Sequence, residues 1–253
     1  MTGCKPADTL VEANLNLIES ADDVPVNKER YQRLVGKLIY LSHTRPDISY
    51  AVNLVSQFMQ APCERHMETV TRILRYLKSS HGKGLVFRKH DKMCIEAYTD
   101  SDWAGSVTDK KSTSGYCTFV WGNLVTWRSK KQRVVARSSA EAEYRAMSLG
   151  ICKEIWLKKV LVDLHQENHD PMRLYCDNKA VINIAHNPVQ HDRTKHVEID
   201  RHFIKEKLDN GSICIPYVPS SQQVADVLTK ELPRQTFDTC VSKLGLIDIY
   251  APT

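Results

Sequence analysis

Apolar positions in the first third of the chain recur at helical spacing, and past Gly84 they change to alternation. Tyr31, Leu34, Val35, Leu38, Ile39 and Leu41 fall mostly three or four apart. They predict a helix that opens near Lys28 and stops before Arg45-Pro46, because the residue ahead of a proline is pushed out of helical geometry. A second helix is predicted over residues 48–59. A third carries Met67, Val70, Ile73, Leu74 and Leu77 on one face, with Arg65, Arg72, Arg75 and Lys78 on or near the other, until Gly82 and Gly84 end it.

After Gly84, residues 85–87, 94–99, 116–121, 124–128 and 134–136 alternate or cluster β-branched and aromatic side chains, which predicts a run of strands. Gly122-Asn123 between two of them is a two-residue hairpin signal, so those strands should be antiparallel neighbours. A long helix over residues 140–164 follows. Then come a strand at 172–176, a helix at 179–186 closed by Asn187-Pro188, a helix at 197–208, a strand at 213–218 and a helix at 222–232. Strands first, then alternating helices and strands, predict an α/β chain of the α+β kind, its mixed sheet covered by helices. Residues 1–27, rich in Asp and Asn with weak periodicity, predict a poorly ordered lead-in.

With 42% hydrophobic and 26% charged residues in 253, the chain can bury one or two cores. The net charge of +5 suits a polyanionic partner without requiring one. Eight cysteines are scattered with no CxxC pair, which predicts reduced thiols rather than a zinc site. No signal-like start and no apolar run near the roughly 18 residues that span a bilayer predict a soluble intracellular protein with no membrane partner.

The candidate chemistry lies in four carboxylates. Asp100 and Asp177 each end a predicted strand, and if those strands are neighbours the two acids meet, a juxtaposition that calls for cations between them. Taken singly, Asp177 could cap the helix opening at Lys179 and Asp100 could brace a turn. On the long helix, Ser138 and Glu141 form a capping box. That gives Glu141 a structural task and leaves Glu143, about 200° further round at 3.6 residues per turn, for the site. Asp226 lies off the apolar stripe of Val224, Val227 and Leu228; its bland reading is a solvated helix acid.

Five phrases carry a family resemblance. They are Tyr98-Thr99-Asp100-Ser101-Asp102-Trp103-Ala104-Gly105, Ser138-Ser139-Ala140-Glu141-Ala142-Glu143-Tyr144, Tyr175-Cys176-Asp177-Asn178-Lys179, Thr194-Lys195-His196 and Val224-Ala225-Asp226. In residues and in order they resemble the ribonuclease H (RNase H) domain of copia-type retrotransposon Pol polyproteins. Upstream, Tyr31-Gln32-Arg33-Leu34-Val35-Gly36, Thr44-Arg45-Pro46-Asp47-Ile48 and Arg72-Ile73-Leu74-Arg75-Tyr76-Leu77 are similar to the segment joining the reverse-transcriptase palm to RNase H. The resemblance implies a lead-in at 1–27, a helical connection segment at 28–84, an RNase H-like domain at 85–235 with a five-stranded mixed sheet flanked by helices, and a tail at 236–253.

It further implies an endonuclease that hydrolyses the RNA strand of an RNA/DNA hybrid. Asp100, Glu143, Asp177 and Asp226 would be both catalytic residues and ligands of two Mg²⁺ ions, with Mn²⁺ as substitute, about 3.5–4 Å apart. The implied partners are the hybrid and the palm domain of a longer polyprotein, and the implied place of action is a cytoplasmic virus-like particle or the nucleus. Arg128, Lys130, Lys131 and Arg133, in a run without an acid, are candidates to hold phosphates, against the plainer reading of a solvated loop. Ser101 and Asn178, beside the acids, are candidates to reach ribose 2′-hydroxyls. Lys195 and His196 fit the family pattern, although a surface or capping role suits His196 as well.

Two features depart from the family. Its histidine-bearing, Gly-rich loop before the last helix is replaced by Pro219-Ser220-Ser221. The palm's Tyr-x-Asp-Asp phrase is absent, so no DNA synthesis is expected of this chain. Integrase, of related fold, is disfavoured because no Glu stands near position 213, about 35 residues after Asp177. The competing expectation is a catalytically silent, truncated element that binds nucleic acid or protein as a module.

Overall fold

The computed structural model describes residues 3–12, 17, 23–91, 93–167, 169–187 and 198–250. They fall in two compact units, Met1–Val86 with Lys230–Thr253, and Phe87–Thr229.

In the first unit three helices, α1 (Lys28–Leu41), α2 (Ser49–Ser56) and α3 (Glu64–Ser79), stand where the periodicity puts them. Asn27 caps α1 by accepting from the Arg30 amide, and a 3₁₀ turn over Pro46–Ile48 leads into α2. Tyr31, Val35, Val55, Val70 and Ile73 are fully buried. The Arg45-Pro46-Asp47 phrase is structural here. The Arg45 guanidinium forks onto Asp47 at 2.9 and 2.6 Å and donates to the Ser80 carbonyl, and the Tyr76 hydroxyl donates to Asp47 at 2.7 Å.

Two expectations are corrected in this unit. The described part of the lead-in packs along α3, where Arg72, Arg75 and Lys78 donate to the carbonyls of Thr9, Lys5 and Cys4. The predicted tail instead forms α7 (Arg234–Lys243) and β7 (Leu246–Asp248), and β7 pairs antiparallel with β1 (Lys83–Leu85).

The second unit is a five-stranded mixed sheet in the order β4-β3-β2-β5-β6. The strands are β2 (Ile95–Asp102), β3 (Thr113–Val120), β4 (Asn123–Lys131), β5 (Met172–Tyr175) and β6 (Ile213–Cys214). The first three form an antiparallel meander, and β5 and β6 run parallel to β2. The hairpin turn is Trp121-Gly122 rather than Gly122-Asn123. Both turn residues have positive φ, 52° and 75°, and Asn123 already pairs with Val120. Residues 134–136 form no strand.

Helix α4 (Ser139–Asp163) lies on the sheet face of Ile95, Ala97 and Thr99. Its Gly150 makes the approach possible, since a Cβ there would stand 2.6 Å from Thr99 Cγ2 and 3.1 Å from Leu174 Cδ1. Helices α5 (Lys179–His186) and α6 (Glu198–Asp209) complete this side. Ile95, Met147, Ile151, Leu174 and Ile204 form its core. The predicted last helix is two 3₁₀ turns, Ser220–Gln222 and Val224–Leu228. Among the described residues no helix is long and apolar enough to cross a membrane.

Candidate active site

Asp100 is the sixth residue of β2 and only 4% exposed. Directly opposite it on β3 stands Gly115, and the missing side chain admits the second 3₁₀ turn. A Cβ on Gly115 would meet Thr229 Cγ2 at 2.6 Å, Leu228 Cβ at 2.8 Å and the Ala225 carbonyl at 3.3 Å. Through this opening the Thr229 hydroxyl hydrogen-bonds Asp100 Oδ2 and, at 3.3 Å, the main-chain carbonyl of Asp226. Gln223 anchors the same turn by donating to the Thr99 carbonyl at 3.0 Å. Asp226 is buried, so the solvated reading of this acid does not hold.

The other two acids arrive from the parallel side of the sheet and from α4. Tyr98 pairs with Tyr175 across β2 and β5, and continuing that register by two residues brings Asp100 level with Asp177. Asn178, not Asp177, caps α5, accepting from the amides of Ala180 and Val181. Asp177 is left to accept from the Ser220 hydroxyl at 2.7 Å. Glu143 lies seven residues before Gly150, within about 20° of it around the helix, and so on the sheet-facing stripe; it too is buried. The four acids therefore come from β2, from the segment that follows its neighbour β5, from α4 on one sheet face and from the 3₁₀ turn on the other.

Cys176, next to Asp177, is fully buried. Burial first, and then the charges of Glu143, Asp177 and Asp100, push its thiol up to about 12. In this structure Thr229 and Ser220 hold two of the acids by hydroxyls. Among the described residues no group of three His, Cys, Asp or Glu side chains is drawn together closely enough to be a ready cage for a metal ion.

The expected capping box differs by one residue. Ser138 accepts from the Glu141 amide at 3.2 Å, while the Glu141 carboxylate takes the Arg137 amide at 2.7 Å and Arg145 at 2.5 Å. This still separates Glu141 from Glu143.

The secondary candidates fare unevenly. Asn178 caps α5 through its side-chain oxygen, and the Ser101 hydroxyl accepts a long 3.4 Å hydrogen bond from Gln132. Arg128 and Lys130 lie within β4, opposite Tyr116 and Ser114, so the run is part strand rather than loop. Both are exposed, on the same sheet face that α4 covers. Lys131 is bound to Asp109 at 2.9 Å and to Ser106, and Arg133 is exposed in the following loop. Lys195 and His196 lie outside the described residues.

Sequence reasoning missed Thr229 and Gln132. Gln132 Nε2 donates to Ser114 at 2.9 Å and to the Ala142 carbonyl at 3.1 Å, while its Oε1 accepts from Arg145. It ties the neighbour of Asp100 to the neighbour of Glu143. A buried glutamine closing a run of cations was the available signal.

The second unit is thus a mixed five-stranded sheet with flanking helices, and a helical region precedes it along the chain. No family model matches the chain. It is 39% identical over 246 residues to the retrovirus-related Pol polyprotein from transposon RE1 of Arabidopsis thaliana, an alignment covering 97% of this chain and 17% of the relative. To the corresponding polyprotein from transposon TNT 1-94 of Nicotiana tabacum it is 36% identical over 255 residues, covering 97% of this chain and 19% of the relative. Among solved structures, RNase H1 of Halobacterium salinarum NRC-1 matches 57% of this chain and 98% of its own, at 17% identity and a TM-score of 0.40. Over nearly its whole length the chain is homologous to copia-type retrotransposon Pol polyproteins. It spans under a fifth of the length of these curated relatives.

Proposed function

We propose that this chain is an RNase H that hydrolyses the RNA strand of RNA/DNA hybrids through Asp100, Glu143, Asp177 and Asp226. The observation that carries the reading is the convergence of the acids. Continuing the β2–β5 register brings Asp100 level with Asp177, Glu143 is buried on the sheet-facing stripe of α4, and Thr229 links the carboxylate of Asp100 to the backbone of Asp226.

The donor set fits the implied metal in kind, since carboxylate oxygens suit Mg²⁺ or Mn²⁺ and no competing soft ligand is exposed at the place where they meet. When bound, two such ions supply a water lowered in pKa and a counter-charge for the leaving oxygen. The residues themselves do the positioning. The sheet fixes Asp100 and Asp177 side by side, the Gly150 approach brings α4 and Glu143 onto one face, and the Gly115 opening seats Asp226 on the other. Exposed Arg128, Lys130 and Arg133 give a positive approach for phosphates.

Purified protein with Mg²⁺ and a 5′-labelled hybrid tests this. Endonucleolytic cuts in the RNA strand alone, leaving 5′-phosphate and 3′-hydroxyl ends, are expected. An intact hybrid after prolonged incubation with the full chain counts against the reading.

A further inference from the structure

Trp103, immediately past β2, is 52% exposed although its indole N–H is satisfied, donating to the Ala136 carbonyl at 3.1 Å. A large ring held open to solvent by a specific hydrogen bond is an arrangement that folding alone does not call for.

The loop behind it is braced from several directions. Asp102 Oδ1 accepts from the Thr113 amide and the Ala104 amide donates to Ser112 Oγ at 3.0 Å. The Ser106 amide donates to the Lys111 carbonyl, and Lys131 reaches Ser106. Ala104, next to the tryptophan, takes a φ of 55°, which a side-chain-bearing residue rarely adopts. A Cβ on Gly105 would stand 2.0 Å from Asp102 Oδ2, so a side chain there would have to displace that carboxylate. The ring is thus presented on a stiff mount, and Ala136 ties it to the segment that opens α4 and leads to Glu143.

The surroundings name the occupant. Val134 and Val135 add exposed apolar surface at the ring's anchoring loop, while Arg133 and Arg137 on either side of them are exposed as well. The two acids flanking the loop are both engaged: Asp102 turns its Oδ1 to the Thr113 amide, and Asp109 is paired with Lys131 at 2.9 Å and Lys111 at 3.4 Å. An aromatic face set among cations with its neighbouring acids engaged fits a nucleic-acid strand, which offers flat or puckered apolar faces between anionic links.

We infer that Trp103, with Arg133 and Arg137, forms a strand-contact site beside the four acids: the indole covers a sugar face of the hybrid and the guanidiniums hold the flanking phosphates. This rests on the proposed RNase H reading and adds to it a residue that sets the strand's distance from the acids.

The test is fluorescence anisotropy of a labelled RNA/DNA hybrid titrated with the full chain in Ca²⁺, comparing wild type with Trp103→Ala, Trp103→Phe and Trp156→Ala. Stacked aromatic contacts to nucleic acid typically cost between about fivefold and a hundredfold in affinity on truncation to alanine. Trp103→Ala is expected to weaken binding at least fivefold, while Trp103→Phe, which keeps a ring but loses the N–H, stays within about twofold of wild type. Trp156, the other half-exposed tryptophan, lies 13 residues past Glu143 on α4, and Trp156→Ala is expected to bind as wild type. Wild-type affinity in Trp103→Ala overturns the inference and leaves the RNase H reading standing. Equal losses in the Phe and Ala variants also overturn it, because the hydrogen bond and not the ring face would then matter. Hybrid binding by none of the four proteins removes both.

Discussion

Thr229 holds Asp100. Its hydroxyl reaches Asp100 Oδ2 over Gly115 and also touches the backbone of Asp226, so one side chain spaces two acids that local sequence keeps 126 positions apart. Groups that orient metal ligands typically cost 10- to 100-fold in activity when removed. Thr229→Val is therefore expected to lower hybrid cleavage by about that factor while Thr229→Ser keeps most of it. Equal activity in the two variants denies Thr229 this role.

Gly115→Ala separates packing from chemistry. The added methyl collides with Thr229, Leu228 and the Ala225 carbonyl, and overpacking of this kind costs roughly 1–3 kcal/mol. Thermal unfolding should show the lowered stability. Cleavage measured well below the melting temperature should fall further than the unfolded fraction explains, because the turn carrying Asp226 is displaced.

Another buried acid lies about three turns along α4 from Glu143. Glu154, on the same sheet-facing stripe of α4 as Glu143, is fully buried, and neither carboxylate oxygen has a hydrogen-bond partner. Burial, and then the charge of Glu96, raise its pKa well above the ordinary Glu value. The folded state thus keeps a proton that the unfolded state releases. Its favourable contribution is present below the ordinary Glu range and is lost as pH rises toward the folded value, at about 1.4 kcal/mol per pH unit. Glu154→Gln should leave the melting temperature unchanged near pH 4 and raise it at pH 8. A variant equally stable to wild type at both pH values shows that Glu154 is not buried as an acid.

Cys176 should be chemically silent. With its thiol at about 12, iodoacetamide at pH 8 is expected to label the exposed Cys152 and to spare Cys176 until denaturant is added, as read by peptide mass spectrometry. Rapid labelling of Cys176 in the native protein places it outside the acid cluster.

Most of the helices and the meander were legible because their signals are local. The stripe Tyr31, Val35 and Leu38 and the cap at Ser138 are read within one or two turns of chain. The hairpin was placed one residue late because the left-handed turn position is occupied by Trp121, a bulky residue that seldom adopts it. The segment carrying Asp226 keeps a helical pattern yet winds as 3₁₀, since it must settle into the opening that Gly115 leaves on a distant strand. Strand β7 was missed for a similar reason: its partner β1 is more than 160 residues away, although Phe237, Cys240 and Val241 in α7 do carry a readable stripe. Of the candidate site, the four acids stand out in the sequence through motif and order. Their hydroxyl partners Thr229 and Ser220 do not, because those contacts exist only once the sheet has assembled.

The central claim is that these acids cut RNA in a hybrid, and Asp100→Asn, nearly isosteric and removing one charge, tests it most directly. In Mg²⁺ the wild-type chain should cleave a labelled RNA/DNA hybrid while Asp100→Asn binds it and leaves it intact. Cleavage by Asp100→Asn at the wild-type rate would contradict the account.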